Sequence, residues 1–128
     1  MTDTQNYCRS DEALGYAARM LLLDVCDPGC GYSDWDIPAA LWRELGEQLD
    51  AFMESNADDL MIGIGTAVLG THWIGSRTGA GIGFWSLVSE PGWSAGEREA
   101  LKRLDAAAKA QGHVSMYAGD DNELYLGK

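Results

Sequence analysis

The sequence predicts an α+β fold of two layers, with about three helices packed on one face of an about four-stranded antiparallel sheet made of two β-hairpins. Three observations carry this expectation. Apolar residues recur at helical spacing in the first half of the chain and again from Ala95 toward Gly112. Two runs, Trp73 to Trp85 and His113 to Leu126, mix β-favouring residues with glycine-rich turns and read as hairpins. The chain of 128 residues is about one domain long and ordinary in apolar content, so a single domain over 1–128 is expected, with 1–9 as a loose N-terminal segment.

Taken in order, Ser10 is placed to cap a first helix reaching about Asp24, with Asp11 and Glu12 complementing its dipole. Leu14, Ala17, Ala18, Leu21 and Leu22 form its apolar face, and Gly15 costs it ~1 kcal/mol relative to alanine. Cys26 to Ile37 is a loop, broken by Pro28, Gly29 and Gly31. The second helix runs from Pro38 to about Asn56, capped by Asp36. Its stripe is Leu41, Leu45, Leu49, Phe52 and Met53, and Glu44, Glu47, Asp50 and Glu54 follow the opposite side.

Leu60 to Gly70 is expected to be a buried connector with a short helix. Strands are then placed near Thr71 to Ser76 and Gly81 to Leu87, with the alternating Gly79, Gly81 and Gly83 leaving one strand face bare for packing. Pro91-Gly92 turns the chain, and Ser94 with Glu97 gives the capping-box pattern that starts the third helix at Ala95. Ala100, Leu101, Leu104, Ala107 and Ala108 make its buried side, and Gly112 ends it. Val114, Met116 and Ala118 then alternate with polar positions, and Gly119 to Asn122 turns into Leu124 to Leu126; Asp120 and Asp121 fit that turn better than a calcium loop.

Charge is unevenly distributed. Residues 1–60 hold thirteen Asp and Glu against three Lys and Arg, while residues 98–128 balance at five of each; the whole chain carries −11. Such a field repels nucleic acid and anionic membranes and attracts basic protein surfaces, so direct nucleic-acid or membrane binding is disfavoured. The longest apolar run is far shorter than the ~20 residues of a membrane span. The N-terminus has no signal-peptide pattern, and three cysteines do not make a disulfide framework. A cytoplasmic location follows as the expectation.

Motifs of chemistry fail one by one. Gly63-Ile64-Gly65 lacks the third glycine of a dinucleotide loop, since position 68 is Val68, and no phosphate-loop lysine follows the later glycines. Cys26 and Cys30 could add only Cys8, His72 and His113 toward a zinc site, without a second clustered pair. The expectation is no enzyme, no metal and no cofactor. Arg77, the only Lys or Arg between Met61 and Glu97, reads as a solvated arginine at the first hairpin's tip or, with Trp73 and Trp85, as a contact point on it.

The runs R-T-G-A-G-I-G-F-W (Arg77 to Trp85), L-D-A-A-A-K-A-Q-G (Leu104 to Gly112) and M-Y-A-G-D-D-N-E-L-Y (Met116 to Tyr125) resemble a family of small, uncharacterised, acidic bacteriophage and prophage proteins. A weaker likeness extends over Pro38 to Leu60. The resemblance implies phage origin and a host-cytoplasm address. Where that family carries histidine and aspartate around the glycine loop, this chain has Ala80 and Ser86, and it holds one more residue between Trp73 and Arg77, which would make a bulge. The functional expectation is therefore an accessory protein that binds a basic host protein, inhibiting a nucleic-acid-handling defence complex through Glu44, Glu47, Asp50, Glu54, Asp58 and Asp59. The alternatives are a small enzyme or ligand-binding module built on the Trp73/Trp85 hairpin, and a virion or assembly component.

Overall fold

A computed structural model describes residues 12–22, 37–79, 82–119, 121 and 123–127. Among these the chain forms six helices and one two-stranded antiparallel sheet: α1 (12–22), α2 (Ala39–Ser55), α3 (Ala57–Leu60), α4 (Thr66–Thr78), α5 (Phe84–Leu87), α6 (Ala95–Ala110), β1 (Ser115–Ala118) and β2 (Leu124–Gly127). The four-stranded, two-layer α+β sandwich is thus overturned. Helices supply most of the structure, and the expected first hairpin does not exist.

The reason lies in α4. Leu69, Trp73 and Arg77 recur every fourth residue, with Gly70 and Ile74 alongside, and all five are buried. This helical spacing competes with the β-favouring local composition, and burial of the indole, leucine and isoleucine decides it, since each such side chain contributes ~1.5–3 kcal/mol against ~1 kcal/mol lost per helical glycine. The glycines are points of close approach. A Cβ on Gly70 would lie 2.0 Å from the Ala13 carbonyl oxygen of α1, and one on Gly75 would lie 1.9 Å from the Ile82 carbonyl oxygen.

Gly79 then stops α4 in the left-handed conformation at φ 72°, its N–H bonded to Gly75 O. What reads as a hairpin loop is a helix stop followed by a second helix start. With α4 helical, no bulge exists between Trp73 and Arg77. Gly83 serves the close packing of the Trp85 ring, whose Nε1 would sit 2.7 Å from an added Cβ. Ser86 closes α5 by accepting the Gly83 N–H and donating to Gly83 O. Ala80 and Gly81 lie outside the described residues.

Elsewhere α1, α2, α6 and the final hairpin fall where the sequence places them, and α3 is an additional short helix after α2. In α1 the five expected apolar residues are buried, while Ser10, Asp11 and Asp24 lie outside the described residues. Helix α2 buries Leu41, Leu45, Leu49 and Phe52 and starts from Pro38 at the cap position without a side-chain cap; Asp36 is not among the described residues. The stretch expected to be a buried connector is a loop followed by the first turn of α4, buried only at Leu69 and Gly70, while Met61, Gly63 and Gly65 are exposed. The α6 capping box forms as expected, with Ser94 Oγ accepting from Glu97 N (3.1 Å) and Glu97 Oε1 accepting from Ser94 N (2.8 Å). The final hairpin is present, pairing Ser115 with Gly127 through Ala118 with Leu124. At its turn Asp121 Oδ1 accepts the Glu123 N–H, the turn role expected of it, and Asp120 lies outside the described residues.

The core is continuous from α1 to the hairpin. Its centre is aromatic: Phe52 of α2 stacks on Phe84 of α5 at 5.7 Å and tilts against Trp73 of α4 at 6.3 Å. One ring from each of three helices therefore orients the outer face of α2 away from the core.

Candidate functional site

The first candidate is that outer face. A helix that buries residues 41, 45, 49 and 52 must turn positions 47, 50 and 54 to the opposite side, because these lie roughly half a turn away at 100° per residue, while 44 lies about a quarter turn away on its flank. Glu44, Glu47, Asp50 and Glu54 are all exposed, as is Asp58 in α3. Arg43 is exposed on the same side. Asp59 has a different role. Its carboxylate receives Arg103 Nε (3.1 Å) and Nη2 (2.8 Å), tying α3 to α6. That pairing raises the Arg103 pKa, first through the hydrogen bond and then through the Coulombic attraction of Asp59. Of the six expected partner-binding residues, five stand on the open surface and one is a helix-to-helix tie.

The second candidate, the Trp73, Arg77 and Trp85 contact set, does not assemble. Trp73 is fully buried, Arg77 is 7% exposed and Trp85 is 45% exposed on a different helix. Arg77 is neither solvated nor at a hairpin tip. Its Nε donates to Gly112 O (2.8 Å), Nη1 to Gln48 Oε1 (2.6 Å) and Nη2 to Gln111 O (3.4 Å), and its guanidinium carbon lies 5.3 Å from the Trp73 ring centroid. Gln111 completes the junction, accepting from Trp73 Nε1 (2.7 Å) and donating to Gln48 O (2.8 Å).

The cation is held by Gln48 Oε1 of α2 and by two carbonyls at the C-terminal end of α6, where helix carbonyls lack internal partners and the dipole is negative. Burial lowers the Arg77 pKa from its ordinary value. The junction locks α2, α4 and α6 together, and its polar groups are paired with one another. Sequence reasoning misses Gln48 and Gln111, although Gln48 carries a signal: it is a polar residue one turn from both Leu45 and Phe52 on the buried side of α2.

Catalytic geometry is absent among the described residues. Ser76 Oγ is buried and already committed, donating to Asp105 Oδ1 (2.8 Å) and accepting from Phe84 N (2.9 Å). His72 sits on α4 with Nδ1 2.9 Å from Val68 O, and His113 is exposed beyond α6. No three His, Cys, Asp or Glu side chains converge among the described residues, and Cys8, Cys26 and Cys30 lie outside them. No described helix is long and apolar enough to cross a membrane.

Among the described residues, two of the clefts on the surface bear on function. One, of about 340 Å³, lies between α1 and α4, lined by Glu12, Tyr16, Arg19 and Thr66, and the Thr66 hydroxyl donates across it to Glu12 Oε2 (2.9 Å). The other, of about 280 Å³, lies between the start of α2 and β2, lined by Pro38, Ala40, Leu41 and Glu44 on one side and Glu123 to Leu126 on the other. Comparison with protein-family models, curated proteins and solved structures finds no match for this chain.

Proposed function

We propose that this is a phage-encoded accessory protein, acting in the bacterial host cytoplasm, that binds a basic surface of a host protein and inhibits it. The target class is a nucleic-acid-handling defence complex of the CRISPR-effector or restriction type. One observation carries the reading: Glu44, Glu47, Asp50 and Glu54 stand exposed on one side of a helix whose other side is anchored in the core. Phage origin rests on the sequence resemblance alone.

Magnitudes define what such a face offers. Four carboxylates between Glu44 and Glu54 span ~15 Å of helix at ~1.5 Å per residue, about one charge per 5 Å. One strand of DNA carries a charge every ~3.4 Å. The face is a sparser line of charge than a phosphate strand, suited to a few lysine or arginine side chains in a nucleic-acid channel, and the net charge of −11 speeds encounter at low salt. The reading of the protein as an enzyme or ligand module on a tryptophan hairpin loses its basis, because Trp73 is core and the hairpin is two helices.

The test is capture from host lysate at low and moderate salt with the wild-type protein and with Glu47→Lys combined with Glu54→Lys. Recovery of a basic nucleic-acid-binding protein that moderate salt weakens and the double variant loses is the expected result. Recovery of no such protein, or undiminished recovery by the variant, overturns the reading.

A further inference from the structure

The cleft between α2 and β2 has a property that the acidic helix face lacks: one wall is the edge of a strand. Gly119 N donates to Glu123 O (2.8 Å), so the pair one step beyond Ala118 and Leu124 is a hydrogen-bonded one. Antiparallel pairs alternate. Tyr117 with Tyr125 and Ser115 with Gly127 therefore bond across the ladder, while Leu124 and Leu126 turn their N–H and C=O groups away from β1. The sheet has two strands, so those groups meet no third strand among the described residues.

Residues from both faces of β2 line the cleft, Leu124 and Leu126 from the inner face and Glu123 and Tyr125 from the outer. The cleft therefore runs along the strand's edge and not beneath one face. Opposite stands the first part of α2, where Pro38 and Leu41 are apolar and Ala40 is too small to fill the gap.

We infer that this cleft accepts an extended segment of a basic partner as a strand added to β2, with lysine or arginine side chains of that segment meeting Glu44 and Glu123. The occupant's chemistry follows from the walls. An added strand bonds to the main chain of Leu124 and Leu126 and points alternate side chains to opposite faces. Those on the inner side meet Pro38, Ala40 and Leu41 and must be apolar. Those on the outer side meet Glu123 and the 41% exposed Tyr125 ring, with Glu44 on the facing helix, and are best basic, since the carboxylates supply ion pairs and the ring face attracts cations. At about 280 Å³ the cleft takes only a few residues, so the affinity it lends is modest and tuned by charge. The inference rests on the reading of the protein as a binder of basic partners, and adds a recognition mode on an adjoining surface that shares Glu44 with the acidic face.

The full-length protein is titrated by fluorescence anisotropy with a short synthetic peptide of alternating lysine and valine. Controls are a glutamate–valine peptide and a lysine peptide with proline in place of valine, which keeps the charge but cannot pair as a strand. The expected result is that the lysine–valine peptide binds at least about tenfold more tightly than either control. It should also slow amide exchange at Leu124 and Leu126 and bind about tenfold more weakly to Glu44→Gln combined with Glu123→Gln.

Equal binding of the proline peptide, or unprotected Leu124 and Leu126 amides, overturns the added strand. Peptide binding that Glu47→Lys with Glu54→Lys abolishes and Glu44→Gln with Glu123→Gln leaves intact also overturns it, because the peptide then sits on the α2 face, and the proposed function survives. If no peptide binds, the cleft inference fails, whatever the lysate capture shows. The amide-exchange readout uses wild-type protein, so it does not depend on a variant folding.

Discussion

Helices α2 and α4 both carry charge, and they treat it in opposite ways. Helix α2 puts Glu44, Glu47, Asp50 and Glu54 in water and only apolar side chains and Gln48 toward its neighbours. Helix α4 keeps Arg77 7% exposed, threaded among Gln48, Gln111, Gly112 and Trp73. The difference teaches that the arginine buried among the described residues belongs to the fold, whereas Glu44, Glu47 and Glu54 on α2 face water and are available for partners.

The largest effect expected from breaking this comparison comes from Arg77→Ala. Its removal leaves Gln48 Oε1 and the Gly112 carbonyl without their donor and opens space beside Trp73, so a loss of about 3–4 kcal/mol in urea denaturation is expected. Arg77→Lys should lose about half of that, because one ammonium cannot span acceptors on two elements as the planar fork does. A near-neutral Arg77→Ala would show that the junction contributes nothing to the lock between α2, α4 and α6.

The close-approach glycines come next. Gly75→Ala places a Cβ within 1.9 Å of the Ile82 carbonyl oxygen, and the backbone must shift, at a cost of about 1–3 kcal/mol. Gly15→Ala in α1 is the matched control. A Cβ there meets nothing within 4 Å, and the change should raise stability by up to ~1 kcal/mol. The two alanines moving stability in the same direction would contradict this account of α4.

The contrast between those glycines also explains how far the sequence could be read. Helices α1, α2 and α6 were legible because their burial agrees with their period and, in α6, because Ser94 and Glu97 announce the start. Helix α4 was not, because Gly70, Gly75 and Gly79 look alike in sequence. Two are contact points for Ala13 in α1 and for Ile82 beyond the end of α4, and one is a left-handed stop. The partner of a glycine is a tertiary fact. So is the fate of Arg77, whose acceptors lie 29 and 35 residues away. The exposure of Glu44, Glu47, Asp50 and Glu54 on α2 was legible, whereas the engagement of Asp59 on α3 was not, since it depends on where α6 lays Arg103. The cleft along β2 was not, since it exists only once the start of α2 meets the last hairpin.

On the exposed side of the comparison, Glu47→Lys with Glu54→Lys should leave stability within ~0.5 kcal/mol of wild type in the same denaturation experiment. Relief of repulsion within the acidic half offsets any solvation lost. A larger loss would show that the outer face of α2 is structural, and the change in partner capture would no longer report binding.

The smallest effect sharpens the comparison, because it concerns an exposed charge that does have a structural partner. Tyr125 Oη donates to Asp121 Oδ2 (2.5 Å) while Asp121 Oδ1 accepts the Glu123 N–H (3.0 Å). The hydrogen bond from Tyr125, then that from the Glu123 backbone, lower the Asp121 pKa. The same bond raises that of Tyr125. A carboxylate with a lowered folded-state pKa stabilises the turn above its unfolded pKa and loses that contribution as pH falls through the folded value, below the usual aspartate range. A phenol with a raised pKa stabilises it below its unfolded pKa and loses the contribution as pH climbs past the usual tyrosine range. The turn should therefore hold across the whole neutral span and loosen at both extremes. Chemical shifts of Tyr125 and the Glu123 amide followed against pH should show the lowered and raised midpoints in wild type, and Asp121→Asn should return Tyr125 toward its ordinary value without moving the unfolding midpoint of the core. Exposure alone does not make a charge idle in this molecule; what separates Asp121 and Asp59 from Glu47 and Glu54 is a donor held in place by another part of the fold.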